Sequence, residues 1–184
     1  MMWRPCVIKH RGQTLTDIDA AVYDPESHCL AFFQLKWQDF GAAEVKKQRS
    51  RAKNFVLQVD DWTSRIEEWI ADVGLDQIAK AIHLEATVAT IHLFAVGRFA
   101  ARFKSYGYGH VSSSVAVCSW PQLARIRNEL TSQTDILRAL YDRVVEERSR
   151  IISVTPLPYE FLIGDTRFVF HNIWNAFDDG SERE

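Results

Sequence analysis

Cysteine is scarce in this chain of 184 residues: Cys6, Cys29 and Cys118 are odd in number and far apart. No CxxC pair occurs, so neither a zinc ribbon nor a disulfide framework is indicated. The six histidines are scattered without HxxxH spacing, which removes the usual helical metal pair. An excess of one charge is missing too. The formal net charge of −2 gives no global sign of nucleic-acid binding, although net charge averages over faces and leaves room for a local patch. No apolar run approaches the roughly 20 residues that span a bilayer. The opening MMWRPCVIKH lacks the apolar core of a signal peptide. A soluble cytoplasmic protein that makes no use of a membrane is the simplest expectation. There is no GxSxG and no P-loop, and Gly107-x-Gly109 lacks the rest of a dinucleotide fingerprint.

What is present is a core. Hydrophobic residues make up 47% of the chain, with 11 Phe and 6 Trp, which argues against disorder. The length fits one domain over residues 1–177, followed by a flexible acidic tail over 178–184. No internal repeat or low-complexity linker interrupts it.

The first third reads as strands. RPCVIKH, LTDIDAAVY and LAFFQLKW are separated by a turn at Arg11-Gly12-Gln13 and another at Asp24-Pro25-Glu26-Ser27, which predicts an antiparallel meander. The run of large apolar residues in LAFFQLKW predicts burial on both faces. From about Ala42 to Phe55 the pattern becomes helical and basic, and WTSRIEEWIADVG reads as another helix, continued by LDQIAKAI after Gly74. TVATIHLFAVGRFAARF and SSSVAVCS read as strands around a glycine-rich loop, SYGYGH. Pro121 opens the helix PQLARIRNEL, and DILRALYDRVVEERSR is an amphipathic helix with its stripe on Ile136, Leu137, Leu140, Val144 and Val145. PYEFLIGDTRFVFHNIW reads as a hairpin. The fold class expected is α/β, a central mixed β-sheet flanked by helices.

Chemistry concentrates in residues 16–37. Side chains on a strand alternate faces, so Asp17 and Asp19 share one face of their strand, and Gln34 and Lys36 share one face of the next. Pairing around the Asp24 turn brings Asp19 near Gln34 and Lys36. A phosphodiester repels nucleophiles through its own charge. A hard divalent ion offsets that charge and lowers the pKa of bound water. Mg²⁺ takes oxygen ligands and keeps several waters. Asp19 offers a carboxylate, Gln34 an amide oxygen and Leu35 a carbonyl. Lys36 offers a charge to orient or deprotonate the attacking water. A lysine between Leu35 and Trp37 on an apolar strand also needs a partner, and a purely structural Asp19–Lys36 ion pair is the plain counter-reading.

These residues resemble the PD-(D/E)XK superfamily of restriction-endonuclease-like nucleases, whose members place an Asp at the end of one strand and (D/E)-x-K on the next. The Gln34-x-Lys36 form is similar to that of the Mrr-like enzymes, and Asp17-Ile18-Asp19 resembles the E-I-D form of several branches. The resemblance covers about residues 15 to 56. It implies a restriction-endonuclease-like fold and hydrolysis of nucleic acid, DNA foremost, with Mg²⁺ or Mn²⁺. It assigns Asp19, Gln34 and Lys36 to catalysis, and Asp19, Gln34 and Leu35 to the metal; Asp17 as ligand is the alternative register. A role in restriction, defence or mobile-element processing follows from the resemblance alone. Cutting both strands with one site per chain favours a homodimer, or a larger complex. Two departures stand out: Gln34 brings no charge, and the family's N-terminal helix has no room before Cys6. Both favour the competing class, a catalytically degenerate nuclease-fold module that binds nucleic acid or a protein. A third class, a structural subunit, calls for an exposed patch at Trp37, Trp62 or Trp69.

The helix after the lysine strand is basic: Lys46, Arg49 and Lys53 form one stripe, Lys47 and Arg51 a second, with Val45, Ala52 and Val56 left for the core. A basic helix there can hold phosphates; a solvated helix face is the bland reading. RFAARFKSYGYGH interleaves cations and aromatics in a way that suits nucleic acid, against the plainer reading of a strand and a turn. Trp62 and Trp69, seven residues apart on one helix face, read as core or interface.

Overall fold

β-branched and aromatic residues dominate the first segments, and strands result. The computed structural model describes residues 2–3, 6–36, 45–98, 112–130, 134–153, 159–163 and 166–170. The elements are β1 (Met2–Trp3), β2 (Cys6–His10), β3 (Gln13–Ile18), β4 (Ala20–Asp24), β5 (Cys29–Lys36), α1 (Val45–Val73), α2 (Leu75–Ala81), β6 (Thr90–Gly97), β7 (Val115–Ser119), α3 (Trp120–Glu129), α4 (Ile136–Ser153), β8 (Tyr159–Ile163) and β9 (Thr166–Phe170). A mixed sheet runs in the order β1-β4-β5-β6-β7. β4 is antiparallel to both neighbours, while β5, β6 and β7 are parallel. The expected α/β class with a mixed, helix-flanked sheet is therefore present. The hairpin near the carboxyl end forms as well, with Ile163 opposite Thr166.

β5 is the middle strand, and alternation divides its side chains. Leu30 and Phe32 join a core with Phe55, Val59 and Trp62 of α1. Cys29, Ala31 and Phe33 join a second core with Leu123 and Ile126 of α3 and Leu140 and Val144 of α4. Burial on both faces explains the unbroken LAFF run, each large apolar side chain contributing about 1.5–3 kcal/mol. Phe33 stacks on Phe94 with ring centroids 4.7 Å apart.

Two expectations change. The meander does not form as one sheet: LTDIDAAVY breaks at Asp19, so that β3 pairs only with β2 and β4 enters the main sheet. At the break the Asp19 side chain turns back onto β5. The two helices expected over residues 42–74 are one helix, α1. No Gly or Pro lies within it, and apolar Ala52, Phe55, Val56, Val59, Trp62, Ile66 and Trp69 recur at helical spacing. It stops at Gly74, whose φ of 75° a residue with a Cβ resists.

α1 also holds the β2–β3 hairpin. Trp62 Nε1 donates to the Asp17 carbonyl at 2.9 Å, and Arg65 Nη1 to the Leu15 carbonyl at 3.0 Å. These bonds cap the outer edge of β3, which no strand covers among the described residues. At the tight turn Arg11 and Gly12 both have positive φ, as a two-residue hairpin requires. Arg11 and His10 there both engage Asp72 near the end of α1. Trp62 and Trp69 are core residues, 3% exposed each.

On the opposite face His92 stacks on Tyr141 at 4.5 Å, and its Nε2 is buried with no hydrogen-bond partner among the described residues. Burial pushes its imidazole below the usual range, against the nearby charges of Asp142 and Asp135. The unfolded ring titrates near about 6.5. Below that pH the unfolded chain binds the proton first, so stability falls with pH until the folded ring also protonates. We expect His92→Phe, which keeps the stacking surface, to flatten the stability–pH curve over that window in urea titrations. An unchanged curve would show that another group governs acid sensitivity.

Candidate functional site

Asp19 sits in the bend between β3 and β4. Its N–H donates to the Phe33 carbonyl at 3.1 Å, one step beyond the last β4–β5 pair, Ala20 with Phe33. There β4 ends, yet β5 runs on to Lys36. The next N–H on that side of β5 belongs to Leu35. It donates to Asp19 Oδ2 at 2.6 Å, so the carboxylate stands where a strand carbonyl would have been. The same oxygen accepts from Gln34 Nε2 at 2.6 Å. Bonds to a carboxylate are shorter and about twice as strong as neutral ones. Gln34 is only 3% exposed, which gives that bond weight.

The donor pattern fixes the roles of the remaining atoms. A carboxylate only accepts, so the Gln34 amide nitrogen must face Asp19, and its oxygen is left for the other side. Within an extended residue the N–H and C=O point to the same side. The Leu35 carbonyl therefore faces the same side as Asp19, past the end of β4. Asp19 Oδ1 and the Leu35 carbonyl, oxygens on one side of β5, are the donor set this arrangement offers to a hard cation that keeps its waters. Among the described residues no three His, Cys, Asp or Glu side chains gather to form a denser cage.

Lys36 is the last residue of β5, on the face of Gln34, half-buried and in register with Gly97. Among the described residues no ion pair joins it to Asp19. The structural ion pair of the counter-reading is thus not formed. Lys36 and Gln34 instead line a cleft of about 520 Å³ between the β2–β3 hairpin and α1, together with Asp17, Gln58, Asp61 and Arg65. Asp61 is held by Arg65 at 3.1 Å. Asp17 is exposed and shares the cleft with Gln34 and Lys36, whereas Asp19 lies outside its lining, bonded to Gln34.

The α1 residues of the cleft were not legible as site residues. Trp62 and Arg65, which fix that wall, lie 45 and 50 positions from the β3 carbonyls they bind, and nothing local marks them. Of the basic stripes, Lys53 is exposed and Arg51 partly buried, while Ala52 and Val56 face the core. The side chains of Lys46, Lys47 and Arg49 lie outside the described residues, as do residues 99–110 of the cation–aromatic segment and Trp37. Burial pushes the Cys29 and Cys118 thiols up to about 12, which makes both poor nucleophiles. No helix among the described residues is long and apolar enough to cross a membrane. Comparison with protein-family models, curated proteins and solved structures finds no match for this chain.

Proposed function

We propose that this protein is a metal-dependent phosphodiesterase with a restriction-endonuclease-like fold, acting on nucleic acid and on DNA foremost. The observation that carries the reading is the Asp19 carboxylate, pinned by Gln34 and the Leu35 N–H where β4 leaves β5, with Lys36 two residues beyond Gln34 on the same face. The strand–strand–helix order of β4, β5 and α1 adds support.

Asp19, through its second oxygen, and the Leu35 carbonyl would hold Mg²⁺ or Mn²⁺. The ion supplies charge neutralisation at the phosphate and a more acidic water. Gln34 acts through its amide nitrogen, which fixes the carboxylate so that little reorganisation accompanies reaction. Lys36 orients the attacking water and offsets charge that develops on the phosphate. Two copies of the chain would give one site for each strand of a duplex.

A second reading, a catalytically degenerate module that binds nucleic acid, is favoured by the position of the Gln34 amide nitrogen. It places a donor beside the only carboxylate in the donor set. One experiment separates the two. Plasmid, single-stranded DNA and RNA are incubated with Mg²⁺ or Mn²⁺ or with EDTA, using wild type and Lys36→Ala. Cleavage that needs metal and falls by about 10²- to 10⁴-fold in the variant is the expected result. Binding without cleavage by the folded wild type would establish the second reading.

A further inference from the structure

The cleft beside Gln34 holds a second cation besides Lys36. Arg65 Nε donates to Asp61 Oδ1 at 3.1 Å, and Nη1 to the Leu15 carbonyl at 3.0 Å. These bonds fix the plane of the guanidinium and use two of its five donors. The other three have no partner among the described residues. The side chain is 48% exposed, so a ligand can reach them. Lys36 lines the same cleft and makes no ion pair among the described residues. Two cations with donors to spare, one of them already oriented, suit a phosphate.

A bare anion does not account for the rest of the lining. Asp17 and Asp61 also face the cleft, so its charges balance, two against two. The Asp17 carboxylate is exposed and has no partner among the described residues. A carboxylate only accepts, so it calls for N–H donors on the ligand. Opposite Asp17 in the hairpin stands Val7, which lines the cleft and is 59% exposed. Residues directly opposite share a face, so an acceptor and an apolar surface lie side by side. A matching ligand carries an anion at one end and an apolar body with N–H donors at the other. A nucleotide has both.

The shape of the cleft narrows the choice. The Trp62–Asp17 and Arg65–Leu15 bonds join β3 directly to α1 and close the gap there against a strand running through. The volume of about 520 Å³ is that of a pocket for one small molecule. Gln34 lines this space and bonds Asp19 at 2.6 Å, so the cleft opens beside the carboxylate of the metal proposal.

We propose that the cleft takes one unpaired nucleotide, with its phosphate on Lys36 and Arg65 and its base against Val7, donating N–H groups to Asp17. The inference rests on the phosphodiesterase reading for what then happens to that nucleotide. It names the substrate class of that site, a strand that enters by an unpaired end.

The test titrates the full chain in EDTA with deoxyguanosine monophosphate, whose base carries an amino donor, and separately with deoxyguanosine and with inorganic phosphate, by calorimetry. Circular dichroism checks the fold of each variant. The nucleotide is expected to bind about 10-fold more tightly than either part. Asp17→Asn should weaken nucleotide binding about 10-fold, because a bond to a charged acceptor is lost, and should tighten phosphate binding, because a like charge is removed. A merely structural role for Asp17 would move both in one direction. Arg65→Gln should weaken nucleotide and phosphate alike, with Arg65→Lys falling between. Equal affinity for nucleotide and phosphate, an Asp17→Asn variant that weakens both or neither, or no nucleotide binding by the folded wild type would each overturn the proposal. Cleavage is read separately with Mg²⁺. Nucleotide binding with opposite Asp17→Asn effects but no cleavage keeps the cleft and removes the nuclease reading. Metal-dependent cleavage without nucleotide binding does the reverse.

Discussion

Asp19→Asn is expected to fold nearly as well as wild type and to cleave no better than wild type in EDTA. The Asn oxygen can take the place of Asp19 Oδ2 and accept from both Gln34 Nε2 and the Leu35 N–H. What is lost is the charge assistance, worth about 1 kcal/mol. The substitution also puts an NH₂ where the second carboxylate oxygen was, a donor in place of a metal ligand. Asp19→Ala differs in kind. It leaves the Gln34 amide nitrogen buried without a partner, while the Leu35 N–H can turn to water because Leu35 is exposed. The cost of that one orphan is about 2 kcal/mol. Urea unfolding and cleavage, measured on both variants, separate the structural role of Asp19 from its chemical one. Wild-type cleavage by Asp19→Asn would remove Asp19 from the metal site. Wild-type stability of Asp19→Ala would mean that the carboxylate does not hold Gln34.

These two roles also explain which parts of the site could be read from the chain. The β4–β5 pairing, the double burial of β5 and the alternation that sets Gln34 beside Lys36 are consequences of local pattern and a short turn, and each is legible. The break at Asp19 is not. A run such as LTDIDAAVY has strand composition throughout, and the contact that marks the break, of Asp19 with Gln34 and Leu35, joins residues 15 and 16 positions apart. That contact removes the basis for expecting Asp17 and Asp19 on one face, since alternation holds only within a strand. The far wall of the cleft was likewise hidden. Gln58, Asp61 and Arg65 look like an ordinary solvated helix face until the β2–β3 hairpin, which the sequence suggested as part of the main sheet, packs beside them. Arg51 Nη1, buried with no hydrogen-bond partner among the described residues, belongs to the same class: charge runs show in sequence, but burial of one atom does not.

Gln34→Glu tests the affinity of the site for a divalent ion without reference to catalysis. Gln34 Nε2 lies 2.6 Å from Asp19 Oδ2, and the side chain is 3% exposed. A glutamate there sets two carboxylates in contact at a part-buried site, where solvent screens them only in part. In EDTA at neutral pH the expected cost is about 3 kcal/mol. For a chain of this size that corresponds to a fall in Tm of roughly 6–12 °C. Two further results follow from the same contact. The pair would share one proton and hold it more tightly than the unfolded chain does, so the variant should regain stability as pH is lowered from neutral. Mg²⁺ or Mn²⁺ should restore it at neutral pH, because an ion bridging both carboxylates binds the folded chain alone and stabilises it by mass action. The wild type, with one carboxylate, should gain far less at the same metal concentration. A variant that recovers with acid but not with metal would show that the two oxygens meet without leaving room for an ion, and Asp19 would then be a structural residue at a strand end. Recovery with both places the ion between β4 and β5, and the neutral Gln34 becomes the reason the natural site binds it weakly.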